Sequence, residues 1–185
     1  MAAVRCRGRR NISERLFGVD EAVRLVRESE RSIHAIGEFC EQYGVDADYR
    51  LDGTLYTATN RAQVGATDAV IAALERNGIN SFSQRPLADV QRMAGSSKHL
   101  EGWFSPAAAS VQPGKLVRGL RRVALQSGVK IHEGTAMTGL EEGRPARIHT
   151  PGGKVIADRV VLAMNAWMAR AFPQFERSVA IVSSD

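Results

Sequence analysis

The sequence has little of what usually declares a chemistry. It holds two cysteines in 185 residues, Cys6 and Cys40. Their spacing suits neither a zinc site nor a CxxC redox pair, and no other metal-ligand grouping stands out. A disulfide between them is not expected in a reducing compartment. No apolar run approaches the ~20 residues of a membrane span. The opening "MAAVRCRGRR" has no apolar segment behind its arginines, so it does not read as a secretory leader. These absences lead us to expect a cytoplasmic protein without a membrane span. Catalytic signatures are missing as well: no GxSxG elbow, no GxxxxGK[ST] loop, no HExxH pair and no GxGxxG turn. Internal repeats and low-complexity segments are also absent.

What is present is ordinary for a globular chain, with 44% hydrophobic and 24% charged residues. The net charge of +5 is unevenly spread. Arg5, Arg7, Arg9 and Arg10 lie in the first ten residues, and the remaining 175 carry 21 basic and 20 acidic groups. A basic nucleic-acid-binding module would rest on that tail alone. We therefore expect a frayed tail over residues 1–13 and no nucleic-acid partner.

Periodicity organises the rest. Val23, Val26, Ile33, Ile36 and Cys40 share one face of a predicted helix that Asp20 caps, that runs to about Tyr43 and that Gly44 ends. "LDGTLYTAT" (51–59) predicts a strand. Asn60 is expected to cap a second helix, 61–77, with Val64, Val70, Ile71 and Leu74 inward and Gly78 as its stop. "PLADVQRMA" (86–94) predicts a third helix. Residues 95–114, punctuated by Gly, Ser and Pro, read as a connection containing a short strand at Trp103-Phe104. Pro113 then opens a helix with Leu116, Val117, Leu120, Val123 and Ala124 on one side, stopped by Gly128. "VKIHEG" and "TAMTGLEEG" predict short strands. A hairpin around Pro151-Gly152-Gly153 leads to Val160-Val161-Leu162-Ala163, which reads as a strand buried on both faces in a parallel sheet. On this reading the 113–127 helix packs on that strand, and Trp167 is buried behind it.

The residues with catalytic potential have plainer explanations. His34 sits on a helix, and His132 and His149 alternate with apolar neighbours in predicted strands. His99, in the connection, is the least explained. Glu141-Glu142 flank Gly143 at a predicted turn, where solvated carboxylates are ordinary. No residue stands out as catalytic.

Two stretches carry a resemblance. "AAASVQPGKLVRGLRRVALQSGVKIHEGTAMTGLEEG" and "IHTPGGKVIADRVVLAMNAW" resemble the middle of FAD-dependent oxidoreductases of the D-amino-acid oxidase and glycine oxidase superfamily, with the flavour of the bacterial gamma-glutamylputrescine oxidase-like subgroup. "VDADYRLDGTLYTATNRAQ" is similar to that family's Gly-Thr-Leu strand and the helix after it. The resemblance covers about 14–185.

The resemblance implies an α/β fold: a partial FAD/NAD(P)-binding three-layer domain with part of a mixed-sheet α+β substrate domain. It assigns 14–108 to the substrate domain, 109–170 to the FAD domain and 171–185 to a return into the substrate domain. It also implies a central fragment, lacking the family's N-terminal GxGxxG unit and its C-terminal part. The parent activity would be oxidation of a C–N bond of an amine or amino acid by hydride transfer to flavin. By the same resemblance, backbone groups of Met137 would address the FAD adenine. Ala163, Met164 and Asn165 would approach the diphosphate and ribityl region, because small residues let backbone come close to a ligand. Whether the chain alone is an enzyme stays open, the alternative being an inactive remnant or a binding piece without flavin. FAD binding by the chain alone is expected to be weak or absent, and exposed sheet edges make self-association possible.

Overall fold

In the computed structural model, residues 12–176 are described; the arginine tail and Cys6 lie outside them. The chain forms two compact units that divide between Val129 and Lys130.

In the first unit, helices α1 (Ile12–Phe17) and α2 (Val19–Gln42) precede strand β1 (Thr54–Ala58). Then come α3 (Asp68–Arg76), β2 (Ser83–Gln84), α4 (Leu87–Ala94), β3 (Glu101–Ser105) and α5 (Pro113–Gln126). Helix α2 starts at Gly18, with no side-chain cap, rather than at Asp20. It ends as expected. Gly44 takes φ +57°, Val45 N donates to Cys40 O at 2.8 Å, and Gly44 N donates to Glu41 O. The left-handed residue folds the chain back on the last carbonyls, which glycine does without a Cβ clash. Gly78 and Gly128 end α3 and α5 with the same bond pattern.

That turn anchors the core. Cys40, Val45, Ala47 and Val123 are buried together, with Phe39 and Leu116 packed against them. Arg122 clamps the turn by donating to Tyr43 O at 2.7 Å and Gly44 O at 3.0 Å. Gln112 caps α5 by accepting from Lys115 N at 2.8 Å, and Pro113 occupies the first turn. Lys115 reaches Asp48 at 2.7 Å, a hydrogen bond that raises the lysine pKa.

Strand order in the first sheet is β1-β3-β2, all antiparallel, with Tyr56 opposite Trp103. Gly102 lets α4 approach: a Cβ there would lie 2.7 Å from Val90, which is fully buried. Helix α3 is shorter than expected. Asn60 accepts from Ala62 N in a local turn, Gly65 takes φ +73°, and helix begins only at Asp68. Val64 is consequently exposed.

In the second unit, β4 (Gly139–Glu141), β5 (Ala146–Thr150) and β6 (Gly153–Ala157) form a meander joined by the expected turns. One 3₁₀ turn (Asn165–Trp167), helix α6 (Met168–Ala171) and a second 3₁₀ turn (Pro173–Phe175) follow.

Four expectations fail here. "VKIHEG" forms no strand, and Val129 and Ile131 are exposed. Residues 158–164 are not a buried strand; Val161 is 88% exposed. Every strand pairing among the described residues is antiparallel, so the expected parallel sheet is not formed. The reason is shared. An apolar run becomes a buried strand only when neighbours satisfy its backbone on both edges, and none of the described strands does so. Helix α5 buries Gly119 and Val123 and packs the half-buried Leu116 toward the end of α2, leaving Val117 and Leu120 exposed. Trp167, expected to be buried, is 70% exposed.

Gly119 is the tightest point of the core: a Cβ there would sit 2.2 Å from Val45 Cγ1. Overpacking in Gly119→Ala should cost about 2–3 kcal/mol, the upper part of the usual range, and leave a net destabilisation of about 1–2 kcal/mol after the ~1 kcal/mol that alanine gains in a helix. Urea unfolding checks this, and an unchanged midpoint would contradict it.

Candidate functional site

The residues singled out from the sequence all lie in the second unit. Met137 is half-buried in the irregular segment just before β4. Ala163 is exposed and closes the extended stretch after β6. Met164 is half-buried, with φ −93° and ψ 1°, and its carbonyl accepts from Trp167 N at 3.2 Å. Asn165 is exposed and takes φ +51°, one of two non-glycine residues in the left-handed region among those described. Asparagine tolerates this conformation because its short amide bonds locally. The segment 163–167 is therefore a tight left-handed turn. No hydrogen bond joins Met137 to it among the described residues.

The other residues weighed from the sequence are accounted for by structure. His99 Nδ1 lies 2.9 Å from Thr57 Oγ1, and its carbonyl accepts from Gln91 Nε2 at 3.1 Å, so it ties the connection to β1. His34 is exposed on α2. His132 is exposed outside any strand, whereas His149 lies in β5. Glu141 and Glu142 are exposed at the β4–β5 turn, as expected. Glu141 Oε1 is 2.6 Å from His149 Nε2, and its other oxygen is 3.5 Å from Arg147. The hydrogen bond from His149 holds the Glu141 carboxyl below its ordinary value of 4.5. One feature has no sequence signal: Trp103 Nε1 is buried with no acceptor among the described residues. No group of three or more metal-ligating side chains exists among them either.

The family model for FAD dependent oxidoreductases (DAO) matches residues 6–184. The chain belongs to this family. It is similar to gamma-glutamylputrescine oxidoreductase of Escherichia coli (strain K12), 25% identical over 158 residues, covering 85% of this chain and 37% of that protein. It is also similar to a D-amino acid dehydrogenase of Neisseria meningitidis, 27% identical over 169 residues, covering 85% and 39%. Among solved structures, glycine oxidase from Geobacillus kaustophilus superposes with a TM-score of 0.69 at 20% identity, covering 82% of this chain and 42% of that one. The α/β fold is thus that of FAD-dependent oxidases, and the chain spans about two fifths of the length of the curated relatives it matches.

The cofactor of this DAO family is FAD. The fit can be judged on the turn itself. Ala163 and Asn165 are exposed, and Val161 at 88% and Trp167 at 70% exposure leave the turn without walls. A dinucleotide diphosphate requires several converging donors, typically a glycine turn at a helix N-terminus. The described residues of this unit supply no such cradle, so by themselves they do not fit FAD.

Two outcomes follow for this unit. Trp167→Ala should change the stability of the isolated chain by less than about 0.5 kcal/mol, as for surface substitutions generally. A thermal melt checks it, and a loss of several degrees would show hidden packing. For Glu141, a carboxyl pKa lowered by folding gives stabilisation that is present above the ordinary value and lost as pH falls through the folded one. His149→Ala should raise the Glu141 midpoint in a carboxyl-carbon NMR titration; an unmoved midpoint would remove the hydrogen bond as the cause.

Proposed function

We propose that this chain is the central part of a cytoplasmic flavoenzyme that oxidises a C–N bond of an amine or amino acid. The support is the family match across 6–184, together with relatives named for gamma-glutamylputrescine and D-amino acids. When bound, FAD supplies the hydride acceptor for such an oxidation. The chain's own contribution is positional. On this reading, residues 14–108 belong to the substrate domain, 109–170 to the FAD domain and 171–185 to the start of a return into the substrate domain, of which 177–185 lie outside the described residues. In the longer protein, backbone groups at Met137 would address the adenine, and the turn at Ala163, Met164 and Asn165 would approach the diphosphate and ribityl chain, with the phosphate cradle supplied by residues outside this chain. The left-handed φ of Asn165 supports a turn that brings backbone close to a ligand.

A second reading, an inactive piece without flavin, is favoured by the open surroundings of that turn. Both readings expect weak or no FAD binding by the 185-residue chain alone. A few backbone hydrogen bonds contribute only about 1 kcal/mol each, against several kcal/mol of association entropy. The purified chain titrated with FAD should therefore show free-flavin absorbance and fluorescence. Stoichiometric flavin retention would overturn the proposal. The two readings part on an extended reading frame: one that adds an upstream GxGxxG unit should bind FAD if the enzyme reading is right. Loss of binding in Asn165→Pro of that longer protein, with the fold kept, would support the role of the turn.

A further inference from the structure

The meander β4-β5-β6 ends on an open edge. Strand β6 pairs with β5 alone, and its outer edge has no partner among the described residues. The sheet has two unlike faces. Leu140, Ile148 and Val155 line one, because Leu140 stands opposite Ile148 and Ile148 opposite Val155. The other carries Glu141, Arg147, His149 and Lys154, where His149 bonds Glu141 and stands opposite Lys154. Ile156 breaks this pattern. It stands opposite Arg147 on the charged face, on the edge strand, and is 63% exposed. Native edges are usually blunted by charge, proline or a bulge, and an exposed isoleucine on an edge does the opposite.

We propose that the outer edge of β6 pairs antiparallel with β6 of a second copy of this chain, making a six-stranded sheet across a two-fold axis. Symmetry restricts the register. Facing residues must lie on the same side of the sheet, so the axis passes through a residue and each residue meets one of its own parity. Centring on Lys154 opposes two lysines, and centring on Asp158 opposes two aspartates. Centring on Ala157 sets Ile156 against Asp158 and Val155 against Arg159. Centring on Val155 places Lys154 against Ile156. Centring on Ile156 satisfies every pair: Ile156 meets Ile156 and Val155 meets Ala157, and once pairing extends β6 by one residue through the bend at Asp158, Lys154 meets Asp158 twice. Cross-strand apolar and opposite-charge pairs are the favourable ones in a sheet, and like charges the unfavourable ones. The register thus explains both the isoleucine on the charged face and the exposed Lys154 and Asp158 that flank it.

The test is the oligomeric state of the full chain by light scattering on size exclusion. The expected result is a dimer for the wild type, and a monomer for Ile156→Lys and for Lys154→Asp. The charge exchange Lys154→Asp with Asp158→Lys should restore the dimer, which a merely disruptive substitution would not. Far-UV circular dichroism of each variant should match the wild type. A wild-type chain that stays monomeric at 100-fold above the working concentration would overturn the proposal. So would a dimer indifferent to Ile156→Lys, which would assign pairing to another surface, or a failure of the exchanged pair to restore it in a folded chain.

Discussion

The backbone of residues 158–164 sets what this chain can do. Four apolar residues in a row, Val160 to Ala163, have the composition of a sheet interior, yet no described strand lies against them. An extended segment cannot bury its side chains without also burying N–H and C=O groups, and those need partners. So Val161 stands 88% exposed, and the turn that follows has no wall. The open turn and the exposed Trp167 are consequences of that one unmet requirement.

The first unit shows the contrary case. Its core is small but closed, because each part is fixed by bonds within about a hundred residues of chain. The Gly44 turn caps α2, Val45 reaches into α5 at Gly119, and Arg122 returns two hydrogen bonds to the turn. Tyr49 adds a hydrogen bond to Ile33 O at 2.9 Å, with its ring filling the space above Gly37. Apart from the buried Trp103 indole N–H, this unit meets its polar demands locally, and the second unit does so only within its meander.

That contrast explains what the sequence made legible. The ends of α2, α3 and α5 were readable at Gly44, Gly78 and Gly128, because a glycine stop is local chemistry. The hairpin at Pro151-Gly152 and the solvated Glu141-Glu142 were readable for the same reason. Asn60 misled, since the same side chain that caps a helix can close a turn onto Ala62 N instead. The strand expected over 158–164 misled for a deeper reason: apolar composition reports a preference for burial, whereas burial itself depends on neighbours. The family was legible in quoted stretches, and the match across 6–184 bears it out. Met137, Ala163, Met164 and Asn165 came from that resemblance and not from any side-chain chemistry, which is why the positive φ of Asn165 had no sequence signal.

The most direct measurement is backbone hydrogen–deuterium exchange across Val160–Met164 in the isolated chain, compared with α2. If no neighbour satisfies this segment, its amides exchange as fast as those of an unstructured peptide while the α2 interior stays protected. Protection of Val160–Met164 comparable with that of α2 would mean that a sheet forms around it, and the account of an unmet strand would be wrong.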